Sequence, residues 1–492
     1  MNPYKKLSGQ ALIYGLGNIV PRVLNYTILT FYYTRKFSPQ EYGIVTELYA
    51  YVAVLLILLT YGMETGLFKF STTNKDNNTV FTTALISVAF TSLLFIVLIF
   101  YFKSDIAFLL NYKNNPEYII YLSMAVAMDA IASIFFAKLR IDNKVRIFAI
   151  LKIVNVLLTL AAVFIFLELL PNLNSLKFNS WYNLHLRYIG VGYIFISNTI
   201  ASFIILLLLS FDLVYIKIRF NNRLLIDLLF YSVPLLIAGL AGILNETIDR
   251  ILLPRLLSKE SNALYELGIY GANFRIAVLM TIFVQMFRYA AEPFFFNMQN
   301  QSDSKKIYAN ILKYFTIFLM IIFLTVALEI DIFKYFIGSD YYEGLKIVPI
   351  ILLSNVFIGL LFNVNMWYKL SGHTMYGAYI TICGAFLTII LNTLFIPKYS
   401  YYACAWIHLL SNFVMLLLTY YLGQKKYRIP YDIKNILKYI IYALVLYLVG
   451  YIFRSEREII NIIVGLTLIL VYIIYCNSKE KLIYIFLNKN EN

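Results

Sequence analysis

The sequence predicts an all-α polytopic membrane protein of about 14 transmembrane helices, arranged as two pseudo-symmetric six-helix lobes plus two extra C-terminal helices. Three observations predict it. Of 492 residues, 61% are hydrophobic and 14% charged, with a mean hydropathy of +0.75, whereas a soluble domain carries roughly a quarter charged residues. The apolar residues fall into about fourteen runs, each long enough to cross a bilayer as a helix that satisfies its own backbone hydrogen bonds. The chain also repeats itself. Sliding the apolar stretch Pro234 to Arg255 onto the first apolar run places Asn245 on Asn25, Arg255 on Arg35 and Ser258 on Ser38. A few residues later Glu266-Leu-Gly-Ile269 falls on Glu41-Tyr-Gly-Ile44, as expected of two copies of one helical unit.

Helix 1 is expected from about Gln10 to Tyr33, with Asn18, Pro21, Arg22 and Asn25 on one face. Arg22 lies near mid-membrane, where a guanidinium is costly unless it meets a wet cavity or an acidic partner. Pro21 predicts a kink. Lys5 and Lys6 precede a run too long for a signal peptide and lacking a small-residue cleavage site, so the sequence reads as a retained first helix. Helix 2, about Gly43 to Phe70, brings Glu47 and Glu64. The latter sits in Gly62-Met-Glu-Thr-Gly66, either to titrate during transport or to pair with Lys69.

Helices 3 and 4, about Val80 to Phe102 and Glu117 to Ala137, follow, with Asp129 mid-span. The loop behind them carries Lys138, Arg140, Lys144 and Arg146, which reads as a positive-inside anchor, and Lys152 lies further in on helix 5. Helix 5 ends near Leu170, and helix 6 runs from about Tyr188 to Val214. Lys217, Arg219 and Arg223 then connect the halves, so residues 1–221 form the expected N-lobe (helices 1–6) and 222–424 the C-lobe (helices 7–12).

Helix 7 carries Asn245, Glu246, Asp249 and Arg250. Glu246 and Arg250, four apart, can pair, leaving Asn245 and Asp249 as the polar face. Helix 8, about Glu266 to Ala291, adds Tyr270, Asn273, Arg275 and Arg288, with Arg275 central. Helices 9 to 12 span about Tyr308 to Ile330, Ile347 to Tyr368, Tyr376 to Ile396 and Tyr402 to Leu422. Residues 425–492 supply helices 13 and 14, which fall outside the repeat and read as a lipid-facing appendage with few ionisable groups.

The net charge of +15 sits in short loops, with no stripe on a soluble domain, so nucleic acid is excluded as a partner. Roughly 22 Lys and Arg fall in or beside inside loops and about 13 in outside ones when both termini are cytoplasmic. Cys383, Cys404 and Cys476 lie within apolar runs and read as small buried hydrophobes, without disulfide or metal spacing. There is no Gly-rich phosphate loop, no His cluster and no nucleophile beside a base, so the sequence predicts no enzyme and no resident cofactor or metal. A membrane glycosyltransferase or polymerase would need a large outside catalytic loop, and the connections here are no longer than about twenty residues.

Five stretches resemble a known family: Ser8-Gly-Gln10, Phe37-Ser-Pro-Gln-Glu-Tyr-Gly43, Asp249-Arg250 leading to Leu267-Gly-Ile-Tyr270, Asn392 to Pro397, and Tyr61-Gly-Met-Glu-Thr-Gly66. By their order and spacing along the chain they resemble a Wzx-type oligosaccharide flippase of the polysaccharide transporter group, within the MOP superfamily that also holds MATE exporters and the lipid II flippase. Where the family usually has Gly-x-x-Gly-Ala-Ala before helix 12, this chain has Ser400, Ala403, Cys404 and Ala405, and it lacks the basic residue that the lipid II branch places on helix 2.

The resemblance implies two lobes alternating in access around a cationic cavity in a bacterial cell membrane. Its substrate would be an undecaprenyl-pyrophosphate-linked oligosaccharide, with membrane lipids and a polysaccharide polymerase machinery as further partners. A diphosphate suits Arg22 and Arg275. Sugar hydroxyls suit Asn25, Asn245, Tyr270 and Asn273. The resemblance further implies a coupling ion, Na+ or H+, at Asp249 with Asn392, and Glu64 and Asp129 are further candidates. A MATE-like exporter of cationic drugs shares the fold but would want an acidic or apolar cavity.

Overall fold

The computed structural model describes residues 19–21, 23–73, 76–172, 190–211, 213, 216–258, 262–299 and 301–481. Arg22 and Ser8-Gly-Gln10 lie outside the described residues. Among those described, every regular element is a helix. The first helix ends as a π-helical turn, Asn25–Leu29, followed by α1 (Thr30–Lys36). Then come α2 (Pro39–Thr60), α3 (Asn77–Leu109), α4 (Glu117–Ile141), α5 (Val145–Phe164), α6 (Gly192–Ser210) and α7 (Asn222–Leu256). They are followed by α8 (Ala263–Met298), α9 (Ser304–Leu328) and α10 (Val348–Val364). The element Met375–Lys426 is 52 residues long and is no single rod. Ser400 sits in it at φ 51°, ψ −139°, and Thr388 Oγ1 donates to Ser411 Oγ at 2.8 Å across the break. Gly384 lies against Met415, four residues further from the break on each arm. Its arms, 375–399 and 401–426, are therefore an antiparallel pair, α11 and α12. α13 (Ile433–Ile452) and α14 (Glu458–Glu480) complete the chain.

Twelve elements among the described residues are long and apolar enough to span a membrane, Met375–Lys426 counted as one. With that element divided the described residues hold thirteen, and the first expected helix, about Gln10 to Tyr33, lies largely outside them.

Local sequence explains where these helices start and stop. Ser38-Pro-Gln-Glu41 is a capping box: Ser38 N and Oγ both donate to Glu41 Oε2 at 2.9 Å, and Pro39 opens α2 where no amide donor is needed. Tyr61 (φ 34°) and Gly62 (φ 73°) then break α2 inside its apolar run, and the helix resumes at Met63–Thr73. Lys138 and Arg140 close α4, complementing its dipole.

The contacts divide the chain into two compact units: residues 1–29 with 44–251, and residues 30–43 with 252–492. These units are a different division from the lobes drawn by the repeat at 221 and 222, because α7 as far as Ile251 packs within the first unit. In that unit α4 lies against α3 and α6. Ala125, Ala127, Ala130, Ala132 and Ala137 are buried there, small enough for helices to approach closely. In the second unit α10 packs on α8, α9 and the α11–α12 pair.

The repeat is visible inside the second unit. A Cβ on Gly43 would run into the carbonyl of Leu264, and one on Gly268 into the carbonyl of Pro39. Under the register that equates Glu41 with Glu266, Gly43 equals Gly268 and Pro39 equals Leu264. The two contacts are therefore one contact made twice, as a local two-fold requires.

α13 and α14 are more than a lipid-facing appendage. They pack on α9 and are held by ions at both ends. Lys313 pairs with Glu480 at 2.5 Å, with both side chains nearly buried. At the far end Arg454 pairs with Asp331 at 2.7 Å, and Lys334 pairs with Glu458. Of the cysteines, Cys404 and Cys476 are buried, whereas Cys383 is exposed on α11.

Candidate functional site

Ionisable groups inside an apolar span are expensive, so where they gather is the first place to look for function. In the first unit they gather around Lys152. The break at Tyr61–Gly62 makes Glu64 part of a helix first turn, where the free amides of the resumed segment favour a carboxylate. Gly62 and Gly66 are there because α7 comes too close for side chains: Ser232 lies against both. Glu64 is half-buried, within hydrogen-bonding reach of Ser133, with Lys152 and Arg140 as its cationic neighbours. Asp129, one turn from Ser133 on α4, is half-buried, hydrogen-bonds Ser202 on α6 and also faces the charge of Lys152. Lys152 itself, on α5, holds its ammonium 4.0 Å from the centroid of the Phe136 ring. Two carboxyls from two helices thus share one ammonium from a third. Arg140, the other cation near Glu64, is exposed at the end of α4.

The pairing of Glu64 with Lys69 that sequence offered is replaced. Lys69 extends over the ring of Tyr231, 3.9 Å from its centroid.

α7 carries the other first-unit candidates. Asn245 and Asp249 are buried, four residues apart, and Asp249 Oδ1 accepts from the Arg250 amide at 2.8 Å. None of Asn245, Glu246, Asp249 and Arg250 is without a partner. Asn25 is exposed at the start of the π-helical turn, a local over-winding that is frequent near functional positions.

The second unit holds Tyr270, Asn273, Arg275 and Asn392. Arg275 is half-buried on α8 and has interaction partners. Tyr270 and Asn273 are fully enclosed. Asn273 Nδ2 donates to the carbonyls of Ile269 (2.9 Å) and Tyr341 (2.8 Å), clasping α8 to the turn Ser339–Ile347. Asn392 is equally enclosed, donating to Thr388 O at 2.9 Å. The structure thus brings Glu64 and Asp129 to one lysine, while Asp249 and Asn392 fall in different compact units.

Sequence reasoning passed over one buried polar network. Ser354 Oγ lies 2.9 Å from His408 Nδ1 and 3.0 Å from Asn412 Nδ2, and it donates to His408 O. Ser354 Oγ thus joins the His408 ring, the His408 carbonyl and the Asn412 amide at one point. The available signal was the spacing of His408, Ser411 and Asn412 at three and four on α12, a polar stripe in an apolar run.

Comparison with known proteins follows the same lines. A family model described as polysaccharide biosynthesis protein matches residues 9–299. No curated protein matches the chain. Among solved structures, the lipid II flippase MurJ in an inward closed conformation is similar at a TM-score of 0.73, with 14% identity, covering 95% of this chain and 99% of that one. An inward-facing multidrug resistance MATE family transporter of the MOP superfamily is similar at 0.59, with 13% identity, over 84% and 94% of the two chains. An outward-facing one gives 0.59, with 11% identity, over 85% and 95%. At these identities the likeness is one of fold.

Proposed function

The chain belongs to the polysaccharide biosynthesis protein family, and from that premise we propose that it is a flippase for lipid-linked sugar. It moves undecaprenyl-pyrophosphate-linked oligosaccharide repeat units from the cytoplasmic to the outer leaflet of a bacterial cell membrane, by alternating access, with both termini cytoplasmic. The product feeds assembly of a surface polysaccharide such as O-antigen, capsule or exopolysaccharide. The observation that carries this reading is the family match over residues 9–299, on a membrane-spanning fold shared with a lipid II flippase along nearly the whole chain.

The residues suit such a cargo. A diphosphate carries charge that a guanidinium holds in fork geometry, and Arg22 and Arg275 are the intramembrane arginines proposed to bind it. Asn25, Asn245, Tyr270 and Asn273 are the proposed sugar contacts. Of these, Asn245, Tyr270 and Asn273 are buried in this conformation, so they would have to open to reach a sugar.

For coupling, the first unit offers a proton site. Within the span, Glu64 and Asp129 both face the ammonium of Lys152, with Arg140 at the end of α4 as the other cation near Glu64, and either carboxyl can take up a proton. Uptake and loss of that proton therefore changes the charge of a desolvated cluster spanning three helices, the kind of change that shifts a two-state equilibrium. Asp249 and Asn392 are the alternative coupling residues, for sodium.

The test is translocation in proteoliposomes with undecaprenyl-pyrophosphate oligosaccharide, under imposed proton or sodium gradients. Wild type is expected to flip the lipid, with the rate following the proton gradient. Arg275→Ala is expected to abolish flipping while leaving protein in the membrane. Glu64→Gln with Asp129→Asn is expected to flip at a rate indifferent to pH difference. Turnover that follows sodium and is lost in Asp249→Asn would move coupling to the alternative pair. Export of a cationic dye, with no movement of lipid-linked sugar, would replace the flippase by a MATE-like exporter.

A further inference from the structure

We infer that Glu329 is a proton-binding site at the junction of α9 with the α13–α14 hairpin, and that the proton it holds keeps that end of the hairpin seated. The main chain of Glu329 is fully used in ending α9. Its amide donates to Thr325 O at 3.3 Å, and its carbonyl accepts from Ile332 (2.8 Å) and Phe333 (3.1 Å). Its side chain turns inward instead of outward. It is 3% exposed, and neither carboxyl oxygen has a hydrogen-bond partner. Oε1 presses against Gly465 of α14 so closely that a Cβ there would overlap it. One helix further, Gly450 of α13 makes the matching space for Leu328. Two glycines on the hairpin thus receive two consecutive residues at the end of α9.

An ionised carboxylate in that position would be stripped of water with no donor to replace it, the arrangement least tolerated in a protein interior. Asp331, two residues on, has the opposite surroundings. Its Oδ1 accepts from Arg454 Nη2 at 2.7 Å and lies 3.4 Å from Lys334 Nζ, and its Oδ2 accepts from Asn461 Nδ2 at 2.9 Å. Lys334 is shared with Glu458 of α14, whose carboxylate also accepts from the Tyr335 hydroxyl.

The cations at the junction are therefore committed to Asp331 and Glu458. Burial, and then the charge of Asp331, push the Glu329 carboxyl above its ordinary 4.5. Burial also works against ionised Asp331, but Asn461, Arg454 and Lys334 outweigh it and hold that carboxyl below its ordinary 3.8. Two acids whose surroundings drive them apart are assigned one proton between them, and it resides on Glu329. A cavity of about 20 Å³, room for one water, opens at the same junction. Its lining includes Leu328, Gly450, Arg454, Asn461 and Gly465, the residues around the seat of Glu329.

The sign of the pH dependence follows. Below its ordinary value Glu329 is protonated whether the hairpin is seated or not, and seating is at full strength. As pH rises through the higher value of the seated state, ionisation favours release. In that window the opening equilibrium grows about tenfold per pH unit. Hydrogen exchange on the full chain in lipid nanodiscs reads this directly, at about pH 5 and about pH 8, corrected for the chemical exchange rate.

Wild type is expected to lose protection in residues 453–466 at the higher pH and to keep it around the Lys313–Glu480 pair. Glu329→Gln, neutral at every pH and nearly the same shape, is expected to hold the low-pH protection at both. Asp331→Asn removes the lesser of the two causes that raise Glu329, so the pH-dependent loss of protection is expected to be smaller than in wild type and to end at lower pH. The inference is overturned by a wild type indifferent to pH over this range. It is equally overturned by a Glu329→Gln variant that loses protection as wild type does, or that is less protected at the low pH. No transport is read, so the outcome is independent of the flippase reading.

Discussion

Replacing Lys152 by methionine leaves Glu64 and Asp129 within the span without the ammonium they share. Removing one partner of such a group costs about 3 kcal/mol, because the remaining charge stays desolvated. The penalty is expected to shrink at acid pH, where protons neutralise the carboxyls, and to shrink again when Glu64→Gln is added. Thermal unfolding of purified protein at two pH values measures both, and an equal loss at each pH would show that the lysine acts through packing alone. The three residues were individually legible as ionisable groups inside apolar runs. Their meeting was not, because sequence fixes neither the rotation of α4 and α5 about their axes nor which helices are neighbours. Lys69 was the nearest cation to Glu64 along the chain, but its stem carries it to Tyr231. Of the Ser354–His408–Asn412 network the stripe on α12 was there to be read, but its meeting with Ser354 on α10 was not, for the same reason.

At the scale of elements, glycines and one serine decide how the helices meet. Gly43→Ala and Gly268→Ala place a Cβ against a backbone carbonyl that cannot step aside, and each is expected to cost about 3 kcal/mol. Gly372→Ala is the control: it has φ +74° with nothing within 4 Å of an added Cβ, so only the backbone penalty of about 1 kcal/mol applies. Similar losses at all three positions, by unfolding in detergent, would remove close approach as the reason for the paired glycines.

Ser400 makes the opposite case. It stands where the family pattern has a glycine, and its φ of 51° with ψ of −139° is a conformation that glycine adopts freely. Ser400→Gly is expected to raise stability by about 1 kcal/mol, net of its hydrogen bond to Glu266 Oε2 at 2.8 Å. The α11–α12 turn was read from the sequence, whereas helix 2 was expected as one run from Gly43 to Phe70: the Gly62 break and the Ser38–Glu41 capping box went unread although each depends on residues close in sequence. The reciprocal contact of Gly43 with Gly268 was readable only as a repeat register, since contact across 225 positions needs the fold.

For the whole molecule, composition and run length were enough to place the chain in a membrane, and the repeat was enough to date its two copies to one helical unit. The grouping by contact follows other lines than the repeat, since which helix packs on which is set by side-chain fit and not by covalent period. The hairpin of α13 and α14 is where this matters most. It lies outside the repeat, yet the second unit treats it as its own: Tyr447 packs edge-on to Phe323, and Lys313 and Glu480 form a pair whose side chains are 12% and 11% exposed.

If that pair anchors the hairpin, Glu480→Leu and Lys313→Met should each destabilise by about 3 kcal/mol, because each strands a desolvated partner. The double variant Lys313→Met, Glu480→Leu should recover most of the loss, since neither charge then remains to be buried. The Tyr439 hydroxyl, which donates to Glu480 at 2.7 Å, would be left to find another acceptor, and that sets the part not recovered. A double-mutant cycle in unfolding free energy separates the cases: additive losses would mean that the two residues stabilise α9 and α14 independently. A coupling of the predicted size would make the hairpin an integral layer of the second unit, attached by charge at both ends and by apolar contact between them.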